Sequence, residues 1–445
     1  MVVLIKILQV ILALSILIII HEAGHFTFAK VFGIRVDKFF LFFDAGGFKL
    51  FSTKGKFFTK LFPKAASWET EYGIGWLPLG GYCKIAGMID ESMDLEGMKR
   101  DPQPWEFRTH PAWQRLLVMA GGVLYNFIFA VIAFIILVGA WGESYLPNED
   151  NCIYANELAE EMGFRTGDRI LAFDDYVPED FSMLQADLAR RNVRKATVLR
   201  GTDPLEIYID QSLIGAVLQS PGMFDLAVPF VVDSLMADSP NAGVDLRRGD
   251  RIAVLDSIAV PYVQDSRPVL EARAGGSVMA TVLREADTLT VPLQVDSAGR
   301  IGVYLVMPEV VRREYTALQA IPAGAKMAWE SVAGYVRDLR LVFTPRTKAY
   351  KSVGSFIAIG QVFPSSWDSY QFLYLLAILS IMLGVMNLLP IPALDGGHIV
   401  ICIFEMLTGR KPGEKFLVVT QMIGMVLLLL LMILAFGNDI VRLIK

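Results

Sequence analysis

Two histidines and a glutamate are the clearest candidates for chemistry in this chain of 445 residues. His21, Glu22 and His25 form the pattern His-Glu-x-x-His, and a helix places the two imidazoles on one face, where both can bind one metal ion. Glu22 can then reach a water molecule on that metal and act as a general base. Because the same pattern also arises by chance in soluble helices, a third ligand is needed to establish a metal site.

The segment that carries these residues is long and apolar. Residues 7–32 read ILQVILALSILIII followed by HEAGHFTFAKVF, which is long enough to cross a bilayer as one helix. Ionisable side chains inside a membrane span are costly, so their presence indicates a function. No small-residue cleavage site follows the apolar run, and we therefore expect an uncleaved membrane helix rather than a signal peptide.

The composition is typical of an integral membrane protein. Hydrophobic residues make up 54% of the chain, and the mean hydropathy is +0.46. The formal net charge of -5 gives no indication of nucleic-acid binding. Cys83, Cys152 and Cys402 are scattered along the chain and imply no disulfide framework.

Further apolar segments have the length of membrane helices, and they lie at residues 116–141, 372–389 and 416–436. The second of these runs into NLLPIPALDGGH at 387–398, where Pro390 and Pro392 must break the helix. Asp395 at this break is a carboxylate in apolar surroundings, and it needs a partner that a metal ion can supply. His398 is a further polar group close to it.

The predicted helix at 116–141 carries small residues at Ala120, Gly121 and Gly122, which allow close packing against a neighbouring helix. Asn126 in the same helix predicts a hydrogen bond between helices rather than a catalytic role. The loop before this helix is rich in lysine, and the positive-inside rule places it in the cytoplasm. Four crossings then leave the region between the second and third helices on the opposite side.

Residues 71–88, which read EYGIGWLPLGGYCKIAGM, contain two short strand-like runs. Pro78, Gly80 and Gly81 between the runs are turn signals, and the segment therefore predicts a β-hairpin. Two placements are open for it. It is either an ordinary surface hairpin or a hairpin that dips beside the metal, where irregular backbone is tolerated if it lines a cavity.

After the second predicted helix, long apolar runs stop and two segments resemble each other: GFRTGDRILAFDD at 163–175 and DLRRGDRIAVLDS at 245–257. Each places Gly-Asp-Arg-Ile before a short apolar run, as in a turn that leads into a half-buried strand. We expect two mostly-β domains in tandem, at 148–213 and 226–307. Apolar residues at helical spacing in 317–345 predict an amphipathic helix against the membrane surface or the β domains, with simple packing as the alternative.

The HEAGH of the first helix and the NLLPIPALDGG after the third together resemble the site-2 proteases, the intramembrane zinc metalloproteases. Two helices, an insert with tandem GDRI segments and two more helices are similar to the regulator of sigma-E protease branch of that family. The resemblance covers almost the whole chain. His-Glu-x-x-His in a membrane helix with a distant LDGG is much more specific than His-Glu-x-x-His alone.

The resemblance implies a polytopic α-helical membrane protein with four transmembrane helices and a membrane-reentrant β-hairpin at about 70–88. Two mostly-β PDZ domains would be inserted between the second and third helices. The implied divisions of the chain are 1–147 for helices 1 and 2, 148–213 and 226–307 for the PDZ domains, 317–345 for the amphipathic segment, and 370–445 for helices 3 and 4. These are expectations for the structure to test.

The resemblance also implies a role for individual residues. The implied ligands of Zn²⁺ are His21, His25 and Asp395, and Glu22 is the implied general base. Three protein ligands leave a position open for water, as in other catalytic zinc sites. The intact Glu22 argues against the competing interpretation, a non-catalytic PDZ scaffold, because a scaffold has no use for that carboxylate. A metal transporter is disfavoured because the chain lacks a ladder of polar residues across several helices.

By the same resemblance, Asn387 would position the substrate backbone, and Gly80, Gly81 and Tyr82 of the hairpin would contact the substrate. The implied partners are transmembrane substrates of the anti-sigma factor type, already trimmed by another protease, remnant signal peptides, and the lipid bilayer, with no nucleic acid. The implied location is the bacterial inner membrane, with periplasmic PDZ domains and an active site nearer the cytoplasmic side. Peptide binding and a purely steric role both remain open for the PDZ domains.

Two departures from the family pattern stand out. Many relatives carry a Gly-Phe-Gly element after the first helix, whereas this chain has Leu-Phe-Phe-Asp-Ala at 41–45. The role of that element is therefore not carried over. The first repeat also lacks the small-residue lead-in Ser-Pro-Asn-Ala-Gly, which the second keeps at 239–243, and its ligand groove is the less secure of the two.

Overall fold

The computed structural model describes residues 2–78, 80–88, 101–217, 220, 222–342, 344 and 354–444. Leu79 of the predicted hairpin, residues 343 and 345 of the predicted amphipathic segment, and residue 445 lie outside the described residues. The chain divides into two compact units. The first unit comprises Met1–Gly142, Glu314–Phe343 and Tyr350–Lys445, and the second comprises Glu143–Arg313 and Thr344–Ala349.

The secondary structure elements are numbered in chain order. The helices are α1 (Val2–Val31), α2 (Lys56–Leu61), α3 (Ala112–Trp141), α4 (Glu157–Glu161), α5 (Leu184–Arg190), α6 (Ile214–Val217), α7 (Val263–Ala272), α8 (Ala317–Val342), α9 (Phe356–Val362), α10 (Ser369–Leu388), α11 (Asp395–Thr408) and α12 (Glu414–Ile444). The strands are β1 (Val36–Leu41), β2 (Lys49–Ser52), β3 (Glu71–Gly75), β4 (Tyr82–Ile85), β5 (Glu143–Tyr145), β6 (Ile153–Ala155), β7 (Arg169–Phe173), β8 (Lys195–Arg200), β9 (Asp203–Tyr208), β10 (Phe224–Leu226), β11 (Val232–Leu235), β12 (Arg251–Leu255), β13 (Ile258–Ala259), β14 (Ser277–Arg284), β15 (Asp287–Gln294), β16 (Val303–Leu305) and β17 (Val311–Arg313).

Four helices of the first unit are long and apolar enough to cross a membrane. They are α1, α3, α10 and residues Lys415–Val441 within α12. A span of about 20 apolar residues matches the hydrocarbon core of a bilayer. These helices correspond to the four segments predicted from the sequence, and together with the several β-sheets they describe a membrane protein with β domains.

The chain breaks after α10 as predicted, because two prolines follow its end. Ala393 then adopts a positive φ of 73°, and α11 begins at Asp395. A Cβ on Gly396 would lie 2.1 Å from the carbonyl oxygen of Leu389, so only glycine lets α11 pack this closely on the broken end of α10. The sequence patterns predict no helix where α11 lies, although this element carries Asp395.

The prediction that residues 71–88 form a β-hairpin is wrong, because the two strands of this segment do not pair with each other. Its two runs do form strands, β3 and β4, but the sheet order is β2-β3-β1-β4. β1 lies between them and pairs in parallel with β3 and antiparallel with β4. Where β1 lies, the sequence predicts only a lysine-rich loop. Gly75 permits this arrangement, because a Cβ there would lie 2.2 Å from the carbonyl oxygen of Phe43, just after β1.

Small residues bring α1 and α3 into close contact. A Cβ on Gly24 would lie 2.1 Å from the carbonyl oxygen of Gly121, so the two backbones almost touch at this point. On its other side, α3 packs against α8 and α10 through an apolar cluster that includes Phe134, Ala328 and Ile381. The described part of α8 therefore packs apolar residues on two candidate membrane helices, and the predicted place of residues 317–345 against the membrane surface or the β domains stays a prediction.

The second unit contains two apolar cores, one after the other in sequence. The first includes Ile153 and Phe224, and the second includes Phe230 and Ile301. β10 pairs with β6, so the first core continues past residue 213, the predicted end of the first β domain. The core of the first repeat is thus closed by a strand that comes after that position.

The two repeats place an aspartate in the same role. Asp168 and Asp250 of the Gly-Asp-Arg-Ile segments are both fully buried. Each carboxylate accepts two hydrogen bonds of 2.8 Å from a single arginine, Arg200 in the first repeat and Arg284 in the second. Bidentate pairs of this kind are the strongest charged hydrogen bonds in proteins. The repeated motif is therefore explained by the folding of each β domain.

Candidate metal centre

The helix α1 presents the two histidines as its spacing predicts. His21 and His25 are both buried, and their Nε2 atoms lie 3.3 Å apart. Residues four apart in a helix lie on the same face, one turn above the other. The two imidazoles therefore aim their outer nitrogens at one point beside α1.

Asp395 reaches the same point from the other end of the chain. Its Oδ2 atom lies 3.3 Å from Nε2 of His21 and 3.4 Å from Nε2 of His25. Among the described residues, this oxygen is shielded from solvent and has no hydrogen-bond donor in bonding geometry. A buried carboxylate oxygen without a donor is costly, by about 1–3 kcal/mol or more. The three side chains form the one group of potential metal ligands found among the described residues.

The spacing of these three atoms fits a tetrahedral zinc ion. With zinc–nitrogen and zinc–oxygen bonds of about 2.0–2.2 Å, two ligands at a tetrahedral angle lie about 3.3–3.5 Å apart. The three measured separations, 3.3, 3.3 and 3.4 Å, fall in this range. Two imidazoles and one carboxylate are also a donor set that catalytic zinc sites use, with one position left for water. The residues present therefore fit the metal.

Helix α3 supplies the groups behind the imidazoles. The Nδ1 atom of His25 lies 2.9 Å from the carbonyl oxygen of Val118, and Nδ1 of His21 lies 3.0 Å from the side-chain amide of Asn126. Asn126 thus makes the hydrogen bond between helices that the sequence predicted. A Cβ on Gly122 would lie 2.5 Å from Nε2 of His25, so α3 can approach the imidazoles only with glycine at this position.

Glu22 lies beside the same point and contacts the sheet. The Glu22 carboxylate lies within reach of the backbone amide of Cys83 in β4. β4 can come this close because Gly81 precedes it: a Cβ on Gly81 would lie 2.4 Å from the side chain of Ile18 in α1. The candidate base is therefore held between its own helix and the strand that begins at Tyr82.

The other predicted residues of the hairpin pack on the segment that replaces Gly-Phe-Gly. The ring of Tyr82 stacks on Phe43 with centroids 6.1 Å apart, and Gly80 lies against the same Phe43 ring. The Tyr82 hydroxyl donates to Asp44 at 2.8 Å, and Lys38 donates to Asp44 at 3.2 Å. Burial raises the pKa of Asp44, but these two hydrogen bonds outweigh it and lower the pKa overall.

Asn387 and His398 have different positions. The side-chain amide of Asn387, in the last turn of α10, lies 3.4 Å from Nε2 of His21, on the side of the imidazole that faces Asp395. His398 is not part of the ligand group and instead lines a cavity of about 280 Å³. The structure therefore brings Asn387 to the metal centre, whereas His398 is not among the grouped ligands.

The sequence patterns do not predict an ion pair between α3, which lies behind the two imidazoles, and α11, which carries Asp395. Arg115 of α3 donates to Glu405 of α11 at 2.5 Å, and both side chains are nearly buried. Because α11 also carries Asp395, this pair attaches the helix of the third candidate ligand to α3. The only sequence signal was one arginine before one predicted span and one glutamate after another.

Comparisons with known proteins identify the family of this chain. The sequence profile of peptidase family M50 matches residues 9–431. The regulator of sigma E protease of Salmonella typhi is 28% identical over 470 residues, which cover 97% of this chain and 98% of that protein. The regulator of sigma-E protease RseP of Escherichia coli strain K12 is 27% identical over 466 residues, with the same coverage of 97% and 98%. The chain therefore belongs to peptidase family M50, the zinc-dependent site-2 proteases, and is a metalloprotease.

Proposed function

We propose that this metalloprotease hydrolyses peptide bonds within transmembrane helices of substrates that another protease has already trimmed. One observation carries the proposal. Three donor atoms from the two ends of the chain converge at tetrahedral spacing in a unit built from four helices of membrane-crossing length. Relatives named regulators of sigma E protease suggest anti-sigma factors as the substrate class, and the bacterial inner membrane as the location.

In this proposal His21, His25 and Asp395 hold the zinc ion. When bound, zinc polarises the scissile carbonyl and lowers the pKa of a water molecule. Glu22 accepts the proton of the attacking water and later passes it to the leaving amine. The backbone amide of Cys83, which lies within reach of the Glu22 carboxylate, would help to orient the base.

The substrate must present an extended strand, because a helix hides its carbonyls in its own hydrogen bonds. β4 lies at the edge of the sheet in the described residues, and it begins beside Glu22. An extended segment can add to such an edge through backbone hydrogen bonds, which is a sequence-tolerant mode of recognition. Gly80, Gly81 and Tyr82 lead into this edge, and Asn387 would hold the substrate backbone on the other side of His21.

The β domains of the second unit are proposed to be periplasmic PDZ domains. They would exclude substrates that still carry a bulky outer domain, or bind a peptide end of the trimmed substrate. The tandem repeat of Gly-Asp-Arg-Ile and the two separate apolar cores support two modules of similar construction. The active site would lie nearer the cytoplasmic side, since the lysine-rich loop follows α1 directly.

The experiment that tests the proposal is Glu22→Gln in the full-length protein, assayed on a model transmembrane substrate in lipid vesicles. We expect zinc content to stay at the wild-type level and cleavage to fall by about 10²–10⁴-fold, the usual contribution of a general base. Glu69→Gln is the matched control, because Glu69 is an exposed glutamate of the same unit that pairs with Lys30. Cleavage that survives Glu22→Gln would falsify the assignment of the base. Wild-type protein that binds zinc without cleaving would favour the scaffold instead.

A further inference from the structure

Asn126 is the most completely enclosed polar side chain next to the metal centre. Asn126 has no exposed surface, and Oγ of Ser380 in α10 donates a hydrogen bond to the backbone carbonyl of Asn126 at 2.9 Å. Its side-chain nitrogen lies 3.0 Å from Nδ1 of His21, whereas its side-chain oxygen is buried without a hydrogen-bond partner among the described residues. This arrangement has a consequence for the metal site.

A neutral imidazole carries one N–H group. If the amide nitrogen of Asn126 donates to Nδ1 of His21, the imidazole proton must be on Nε2. An Nε2–H group has no lone pair for a metal, although Nε2 is the atom that faces Asp395 at 3.3 Å. Half a turn of the carboxamide exchanges its nitrogen and oxygen with little change in shape. The oxygen then accepts from Nδ1–H, and Nε2 is free to bind metal.

His25 provides an internal comparison. Its Nδ1 faces the carbonyl oxygen of Val118 at 2.9 Å, and a carbonyl can only accept. The proton of His25 is therefore on Nδ1, and its Nε2 is free. If Asn126 presents its oxygen, α3 supplies one acceptor to each imidazole, and both rings have the same tautomer. In the orientation with the nitrogen toward His21, the side-chain oxygen of Asn126 has no partner among the described residues, so no second hydrogen bond holds the amide in that orientation.

We propose that Asn126 is a positioning residue whose side-chain oxygen accepts a hydrogen bond from Nδ1–H of His21 and so selects the tautomer that binds the metal. The inference rests on the proposed function, since it requires His21 to be a ligand. Partners that orient a metal-binding histidine contribute about 10–100-fold to metal affinity. The acceptor for His25 belongs to the backbone, but the acceptor for His21 belongs to a side chain and can be removed by substitution.

The test compares two substitutions of nearly equal size in the full-length protein in detergent. Asn126→Asp keeps an acceptor oxygen, and Asn126→Leu removes it. Ser380→Ala is the control, because it removes a hydrogen bond to the same asparagine without touching the imidazole. Affinity for Zn²⁺ and Co²⁺ is measured by competition with a chelator. We expect Asn126→Leu to bind about 10–100-fold more weakly, and the other two variants to stay within a few-fold of wild type.

A second readout reports the tautomer directly. The chain has only 4 histidines, so ¹⁵N-histidine spectra of the zinc-loaded protein can be assigned with few variants. An Nδ1–H signal for His21 is expected in wild type and Asn126→Asp. Wild-type affinity in Asn126→Leu would overturn the inference, and so would an equal loss in the Asp and Leu variants, which would indicate packing alone. Wild-type protein that binds no metal would overturn both the inference and the proposed function.

Discussion

Asp250 in the second unit is fully buried and Oδ2 of Asp395 in the first is shielded from water, but the two carboxylates have opposite surroundings. Asp250 accepts two hydrogen bonds from Arg284 and a third from the backbone amide of Arg247, all at 2.8 Å. Asp395 faces two imidazole nitrogens, and its inner oxygen has no donor in bonding geometry among the described residues. Asp250 has a permanent positive partner, whereas Asp395 faces only groups that are neutral when they bind metal.

The difference separates a carboxylate that builds a fold from one that binds a ligand. Removing charge from water costs several kcal/mol per ion, and a paired arginine with a backbone amide compensates for it within the protein. Asp395 lacks such compensation, so a cation must supply it. The same contrast holds within the first unit, where Glu405 is paired with Arg115 while Asp395, on the same helix, is not. Burial alone is therefore a poor guide to function, and the partner decides.

The largest effect is expected from two separate variants, in which Asp395 or Asp250 is replaced by alanine. Asp395→Ala should reduce bound zinc to background and abolish cleavage, while leaving the second unit as stable as in wild type. Asp250→Ala should keep zinc bound but destabilise the second β domain by about 1–3 kcal/mol, because Arg284 loses two hydrogen bonds and keeps only those to Asp245, while the Arg247 amide loses its acceptor. Metal analysis and hydrogen exchange of the full-length protein measure both quantities. Zinc retained in Asp395→Ala would show that the third ligand is a different residue.

An intermediate effect is expected from the backbone that supports the imidazoles. Gly122→Ala places a methyl group 2.5 Å from Nε2 of His25, so the ring must move and metal affinity should fall by about 10–100-fold. Gly334→Ala in α8 is the matched control, since a Cβ there has nothing within 4 Å. Chelator competition measures the affinity. Equal affinities in the two variants would mean that α3 yields at this contact and does not define the site.

Local patterns in the sequence predicted the parts of this centre that depend on local structure. The spacing of His21 and His25 sets their shared face on any helix, and the apolar runs set the candidate spans. Local sequence identifies Asp395 only as a carboxylate in apolar surroundings. Its assignment as the third metal ligand depends on the resemblance to the site-2 proteases. Its contact with the histidines depends on the packing of α1, α3 and α11, which no short window of sequence contains.

The remaining errors have physical reasons. β1 was missed because its pairing with β3 is parallel and non-local, and such pairing leaves no turn signal in the sequence. α11 was missed because it begins with Asp395, Gly396 and Gly397, and each glycine lowers helix propensity by about 1 kcal/mol. Those glycines are required by packing, since a Cβ on either would lie within 2.7 Å of a carbonyl oxygen in the chain that precedes α11. Tertiary contact there overrides propensity.

The smallest effect is the dependence of the second β domain on pH. The hydrogen bonds from Arg284 lower the pKa of Asp250. Burial of the carboxyl raises its pKa, but the Arg247 amide lowers it further, and the net shift of the pKa is downward. A carboxyl whose folded-state pKa is depressed contributes stability above its unfolded pKa of about 3.9, and this contribution is lost as the pH falls toward the folded value. Protection of residues 230–301 from hydrogen exchange, corrected for intrinsic rates, should therefore decrease below about pH 4.

Asp250→Asn should remove this component, so that the variant is less stable at neutral pH but loses less on acidification. Asp287→Asn, at an exposed strand position, is the control and should follow the wild-type profile. If wild type and Asp250→Asn lose protection in parallel, the ion pair with Arg284 does not stabilise the domain. Asp250 would then no longer serve as the paired counterpart of Asp395, and Glu405 with its partner Arg115 would be the remaining carboxylate for the comparison.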